Sequence, residues 1–137
     1  MSAEGRRVLV VEDTFSNVVL LQAKLSEKQY LVTVAANGLD ALEMIEDHAF
    51  DIVLLDVMLP GIDGFEVCRR IRAHRKGVDL PIIMLTALDT DADRATGLGA
   101  GADDYFLKPV EDDILFPRMQ ALIARPRRPL TAESARA

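Results

Sequence analysis

The chain predicts a doubly wound α/β domain, and three observations carry that reading. Four short apolar runs recur along it, Val8-Leu9-Val10-Val11, Ile52-Val53-Leu54-Leu55, Ile82-Ile83-Met84-Leu85 and Tyr105-Phe106-Leu107. Runs of that length, rich in Val, Ile and Leu, suit strands buried on both faces of a parallel sheet. Between them lie stretches whose apolar residues return at helical spacing. The connections are short and marked by Gly, Pro and Asn.

Taken in order, Val8 to Val11 is the first strand. Val18, Leu21 and Leu25 then mark a helix, with Ser16 or Asn17 as its expected cap. Leu31-Val32-Thr33-Val34 is the second strand, and Ala36-Asn37-Gly38 turns the chain. Leu42 and Ile45 belong to a short helix that ends before Phe50. The strand from Ile52 follows, then a loop with Pro60, Gly61 and Gly64. Phe65, Cys68, Ile71 and Arg72 lie on a helix running to about Lys76, and Pro81 precedes the fourth strand. Asp91 to Leu98 reads as a weak helix, because Gly97 and Gly99 cost helix stability. After the strand ending at Leu107, a final helix begins near Asp112 or Asp113 and presents Leu115, Met119, Leu122 and Ile123. If Asp113 is the cap, Pro117 falls at the fourth helical position and predicts a distorted first turn. Five strand–helix alternations imply right-handed crossovers. Residues 1–124 therefore form one domain, and residues 125–137, dominated by Pro, Arg, Ser and Ala, read as a linker or disordered tail.

Composition narrows the function classes. The 137 residues suffice for one domain with its own core. A formal net charge of -6 argues against direct nucleic-acid binding, which needs a basic face. Arg125, Arg127 and Arg128 are nonetheless clustered near the end. The single cysteine, Cys68, excludes an internal disulfide and reads as a small buried hydrophobe. The first residues lack the apolar stretch of a signal peptide, and no run approaches the ~20 residues of a membrane span. A cytoplasmic protein is expected.

Each apolar run stops at a polar residue: Glu12-Asp13, Asp56, Thr86 and Lys108-Pro109. In open parallel sheets, ligands bind just beyond the carboxyl ends of the strands. If the runs lie side by side, three carboxylates, a hydroxyl and an ammonium converge in one crevice. That set suits Mg²⁺-assisted phosphoryl transfer to an aspartate. Asp13 and Asp56 offer direct metal ligands, and Glu12 acts through a water. Asp56 is the natural nucleophile, Lys108 a fixed cation for a phosphoryl oxygen, and Thr86 a hydroxyl donor. Any one of these residues could merely cap or solvate a loop; their shared position argues otherwise. His48, His74 and the charge run from Arg72 to Lys76 read as solvated surface. Gly97, Gly99 and Ala102 fit a dinucleotide fingerprint only in the wrong order, after a helix and before a strand.

At these residues the chain resembles the receiver domain of two-component response regulators, from about Arg7 to Ala124. The motifs are Val10-Val11-Glu12-Asp13, Leu54 to Gly64 with Asp56 at its third position, Leu85-Thr86-Ala87, Gly101-Ala102-Asp103-Asp104-Tyr105 and Leu107-Lys108-Pro109. The resemblance implies a flavodoxin-like (βα)5 sheet of strand order 2-1-3-4-5. It implies that Asp56 takes a phosphoryl group from a histidine of a sensor histidine kinase or histidine phosphotransferase. The backbone carbonyl of Met58 would join Asp13 and Asp56 on Mg²⁺, and Thr86 and Tyr105 would be a switch pair. A phosphoryl group would draw in the Thr86 hydroxyl, and Tyr105 would rotate into the space vacated. The α4-β5-α5 face would then control a partner, a homodimer or a C-terminal effector. Lys108-Pro109 is expected to be cis, tolerable only before proline. Met58 and Leu88 stand where the family often has polar residues, which suggests slow self-dephosphorylation. Asn17, Met84 to Asp89 and Asp112 to Phe116 are similar to the first receiver of diguanylate-cyclase response regulators.

One enzyme class is a rival. Phosphatases of the haloacid dehalogenase type also use a strand-end aspartate and Mg²⁺, but need a second acid two residues later. Met58 stands there and supplies no proton donor. The reading is a signalling receiver that catalyses its own aspartyl phosphorylation and dephosphorylation, not a turnover enzyme.

Overall fold

The computed structural model describes residues 4–126. Five strands alternate with five helices: β1 (Arg7–Val11), α1 (Phe15–Glu27), β2 (Leu31–Ala35), α2 (Gly38–Asp47), β3 (Ile52–Leu55), α3 (Gly64–Ala73), β4 (Ile82–Thr86), α4 (Asp91–Gly99), β5 (Asp104–Leu107) and α5 (Asp112–Ala124). The strands form one parallel sheet in the order β2-β1-β3-β4-β5, the flavodoxin-like arrangement expected. Among the described residues, no helix is long and apolar enough to cross a membrane.

The two-residue repeat of a strand divides the apolar runs between two layers. Leu9, Val11, Val53, Leu55, Ile82 and Met84 face α2 and α3, against Ala41, Ile45, Val67, Cys68 and Ile71. Val8, Val10, Ile52, Leu54, Ile83 and Leu85 face α1 and α5, against Leu25, Leu115, Phe116, Met119 and Leu122. Both faces are buried, so the runs show no polar alternation. Cys68 is fully buried, and burial pushes its thiol up to about 11, as befits an inert core residue.

Local chemistry departs from expectation at several boundaries. The α1 cap is Thr14 rather than Ser16 or Asn17, and it makes no side-chain cap bond. Asn17 turns instead to Glu12. The third helix ends at Ala73, short of Lys76. Arg72 is not an exposed helix end: it donates to the carbonyls of Gly101, Gly77 and Leu80 and pairs with Asp103 at 3.0 Å. His74 is half-buried and accepts the Lys76 N–H on Nδ1. α5 is continuous through Pro117; its cap is Glu111, so proline sits at the sixth helical position, two further in than expected, and the helix continues past it without that residue's N–H bond. The Glu111 carbonyl accepts the N–H groups of both Ile114 and Leu115.

β5 is an edge strand. At Tyr105 its N–H donates to Asp104 Oδ1 at 2.9 Å and its carbonyl accepts from Arg94 Nη1 at 2.6 Å. Arg125, at the end of α5, donates to Asp103 Oδ1 at 3.1 Å. Residues 127–137, most of the stretch read as a tail, lie outside the described residues.

Candidate functional site

Register brings the candidate residues together. Val11 pairs with Leu55, so the residues that follow, Glu12 and Asp56, emerge side by side at the carboxyl ends of β1 and β3. The N–H of Asp56 donates to Val11 O at 3.0 Å, which fixes that relation. Thr86 pairs with Leu107, and the Lys108 N–H donates to Thr86 O at 2.9 Å. The expected cis bond precedes Pro109. Among the described residues, the buried polar or charged side chains are Glu12, Asp56 and Thr86. All three lie at this end of the sheet.

Carboxylate oxygens of Glu12, Asp13 and Asp56 lie within 4.8 Å of one another. Lys108 Nζ donates to Glu12 Oε1 and, at 3.1 Å, to Asp56 Oδ2. Three acids against one ammonium leave a formal charge of about -2 in the cleft, which a hard divalent cation would balance. All donors are oxygens, the set that Mg²⁺ prefers. The residues present fit that ion.

The three acids differ in what holds them. Glu12 Oε2 accepts the N–H groups of Asp13 and Thr14, and Oε1 accepts Asn17 Nδ2 as well as Lys108. Both its oxygens are engaged, which leaves Glu12 poorly placed for direct ligation and suited to act through a water. Asp13 is exposed, and its carboxylate is open to the cleft. Asp56 Oδ1 accepts the Met58 N–H at 3.3 Å. Burial pushes the Asp56 carboxyl up; Lys108 opposes this only in part, and the charge of Glu12 adds to the rise. Burial acts on Glu12 in the same sense, yet the bonds from Lys108 and the Thr14 N–H outweigh it and hold that carboxyl low. Lys108, which burial alone would depress, is held above the ordinary lysine range by the two acids. Lys108 pairs with both acids, and of those two Asp56 is the readier to take a proton when no cation is bound.

Gly64 fixes the rim. A Cβ there would lie 2.3 Å from the Asp56 carbonyl oxygen, so only glycine lets α3 start this close to β3. Asp63 caps that helix by accepting the Glu66 N–H. Reading the sequence missed both Gly64 and the bond of Asn17 to Glu12. Asn17, one helical turn into α1 and five residues past an acid, was the available signal.

Thr86 and Tyr105 meet on one residue, Leu88, through the two peptide groups that flank it. The Leu88 N–H donates to Thr86 Oγ1 at 3.3 Å, and the Tyr105 hydroxyl donates to the Leu88 carbonyl at 2.7 Å. Tyr105 is 1% exposed. Its ring is already inside, whereas the sequence reading had it enter only after Thr86 moved. Met58 is 58% exposed beside the cleft, and Leu88 is half-buried.

Residues 8–120 match the response regulator receiver domain family. The chain is 46% identical over 116 residues to response regulator PleD of Caulobacter vibrioides, covering 85% of this chain and 26% of PleD. It is 48% identical over 121 residues to transcriptional regulatory protein TcrA of Mycobacterium tuberculosis, covering 88% of this chain and 47% of TcrA. It thus spans between about a quarter and a half of these relatives. The solved receiver domain of sensor histidine kinase PA1611 from Pseudomonas aeruginosa has magnesium coordinated in its active-site cleft. It superposes with a TM-score of 0.83 at 37% identity, covering 88% of this chain and 99% of that one.

Proposed function

The chain belongs to the response regulator receiver domain family, and from that premise we propose that Asp56 accepts a phosphoryl group from a histidine of a sensor kinase or phosphotransferase. The observation that carries the proposal is a pair of buried acids, Glu12 and Asp56, tied together by Lys108 at adjacent strand ends, with the buried Thr86 hydroxyl at the next. Burying charge in an apolar sheet is costly unless it is paired, and packing alone calls for none of it.

In the transfer, an Asp56 carboxylate oxygen bonds to phosphorus while the P–N bond to the donor imidazole breaks. The electron pair stays on the ring, which takes up a proton. Lys108, already on Asp56 Oδ2, holds charge that moves onto a phosphoryl oxygen. Asp13, Asp56 and the backbone carbonyl of Met58 would hold Mg²⁺, with Glu12 behind a water. Bound there, the cation neutralises the acids and the incoming phosphoryl oxygens. Water attack on the acyl phosphate reverses the state, so the domain switches rather than turns over a substrate.

Thr86 then gives its hydroxyl to the phosphoryl group and releases the Leu88 N–H, and Tyr105, whose hydroxyl is held by the Leu88 carbonyl, follows through that residue. Moving a two-state element from about 1:99 to 99:1 takes roughly 5.5 kcal/mol. One charge-assisted hydrogen bond gives about 1.5–3 kcal/mol. Lys108, the metal and a binding partner supply the rest. The surface that changes is α4-β5-α5, read by a second copy or by a C-terminal effector such as a diguanylate cyclase. Residues 1–124 are the receiver in this reading, and 125–137 a Pro/Arg-rich linker or tail. A phosphatase of the haloacid dehalogenase type is disfavoured by the thioether of Met58, which donates no proton.

Incubation of the chain with acetyl phosphate and Mg²⁺ tests the reading by intact mass. One added phosphoryl group is expected, absent in Asp56→Ala and absent under a chelator. An unmodified wild type, or a label that survives Asp56→Ala, overturns it. Steady release of phosphate over many turnovers would favour the phosphatase instead.

A further inference from the structure

We propose that Gly97 and Arg94, one turn apart on α4, position Tyr105 and so set how far the switch is thrown before any phosphoryl group arrives. The inference rests on the reading of Tyr105 as a switch residue. Gly97 is the buried residue of α4. A Cβ built there would lie 2.8 Å from Tyr105 Cδ2 and 2.8 Å from Met84 Sδ. Real Cβ atoms essentially never come that close, so one neighbour would have to move. Met84 is fully buried in β4 and paired in register with Tyr105. The tyrosine ring lies on the edge strand and can leave to solvent.

On the outer side the ring is strapped. The Arg94 guanidinium lies 6.0 Å from the ring centroid. Its Nη1 donates to the Tyr105 carbonyl at 2.6 Å, and its Nη2 stands 3.7 Å from Asp104. A notch at Gly97 and a strap at Arg94 thus enclose a ring whose hydroxyl is anchored on Leu88. Gly97 has ordinary helical backbone, so its need is for space and not for conformation. Alanine at 97 would by itself favour the helix. A purely structural role therefore predicts a more stable protein with Tyr105 unmoved, and the proposal predicts the ring expelled.

The chain has two tyrosines and no tryptophan, so Tyr30→Phe leaves Tyr105 as the sole strong intrinsic fluorophore. Quenching by acrylamide, neutral and so blind to the loss of a charge, then reads the exposure of Tyr105. In that background Tyr105 is expected to be shielded without phosphorylation. Gly97→Ala should shift the balance between inward and outward ring by about tenfold or more, the scale of overpacking a filled site. Arg94→Ala should raise quenching less, and Arg94→Lys should recover part of the difference. Acetyl phosphate with Mg²⁺ should label Asp56 in every variant, restoring the shield in Arg94→Ala and not in Gly97→Ala. A ring as shielded in Gly97→Ala as in its parent overturns the proposal. If that variant fails to fold by circular dichroism, Arg94→Ala decides, and unchanged quenching there overturns it equally. Failure to label Asp56 in the parent chain counts against phosphorylation alone, because the quenching comparison still decides what positions the ring.

Discussion

The strand ends of β1 and β3 and the α4–β5 region do opposite things with similar material. At the first, Glu12 alone holds donors from Asp13, Thr14, Asn17 and Lys108. The strands beneath it lie at the centre of the sheet and are buried on both faces. At the second, a nine-residue helix sends one buried residue, a glycine, toward the sheet, and most of its remaining side chains are exposed. The phosphoryl transfer proposed for the first would need groups held to fractions of an ångström, which a packed scaffold supplies. A response needs an element whose displacement disturbs few buried contacts. In the proposed reading, the molecule separates chemistry from response by packing density.

That contrast can be broken most directly by paired truncations. Leu54→Ala, at the buried centre of β3, should cost about 3–5 kcal/mol of unfolding free energy. Leu98→Ala, on α4 and 40% exposed, should stay within about 0.5 kcal/mol. Equal losses in urea titrations would mean that α4 is packed as firmly as the sheet. Lys108→Ala removes a charged donor from the rigid half, and labelling of Asp56 by acetyl phosphate should slow by about 10²-fold. A rate within a factor of about two of wild type would remove Lys108 from the chemistry. Tyr30→Phe sharpens the comparison by improving the α1–α5 layer. The Tyr30 hydroxyl is buried without a hydrogen-bond partner, and deleting it should raise stability by up to about 1 kcal/mol. A loss would show that the hydroxyl contributes to the fold. The smallest effect is expected at the rim, where Met58→Asn gives water a polar neighbour and should hasten decay of the phosphorylated protein several-fold. Decay followed by mass that is no faster would leave Met58 without a part in dephosphorylation.

Much of this was legible in the residues because the signal was one of position. Val11, Leu55, Leu85 and Leu107 each precede a group with chemistry, and a parallel sheet places all such groups at one edge. What escaped reading depended on contacts made across the chain. Nothing local to Arg72 announces that its guanidinium will satisfy three loop carbonyls, so the helix looked longer and the arginine looked solvated. Gly97 reads as a helix breaker, because the tyrosine that needs its space comes eight residues later, on another element. Pro117 predicts a distorted turn from local rules alone, yet the helix carries it at its sixth position, with Leu115, Phe116, Met119 and Leu122 buried around it. The inward ring of Tyr105 depends on packing against Gly97 and Met84 and on the Leu88 carbonyl, contacts that no residue pattern encodes.

The side chains of Asp104 and Arg94 that cover the Tyr105 N–H and carbonyl have a consequence unrelated to signalling. An open sheet invites growth at its outermost strand, where exposed backbone groups can template pairing with a foreign chain. Here the Tyr105 N–H and carbonyl are already engaged by charged side chains, so stripping both charges would leave that edge open to pairing and to ordered aggregation.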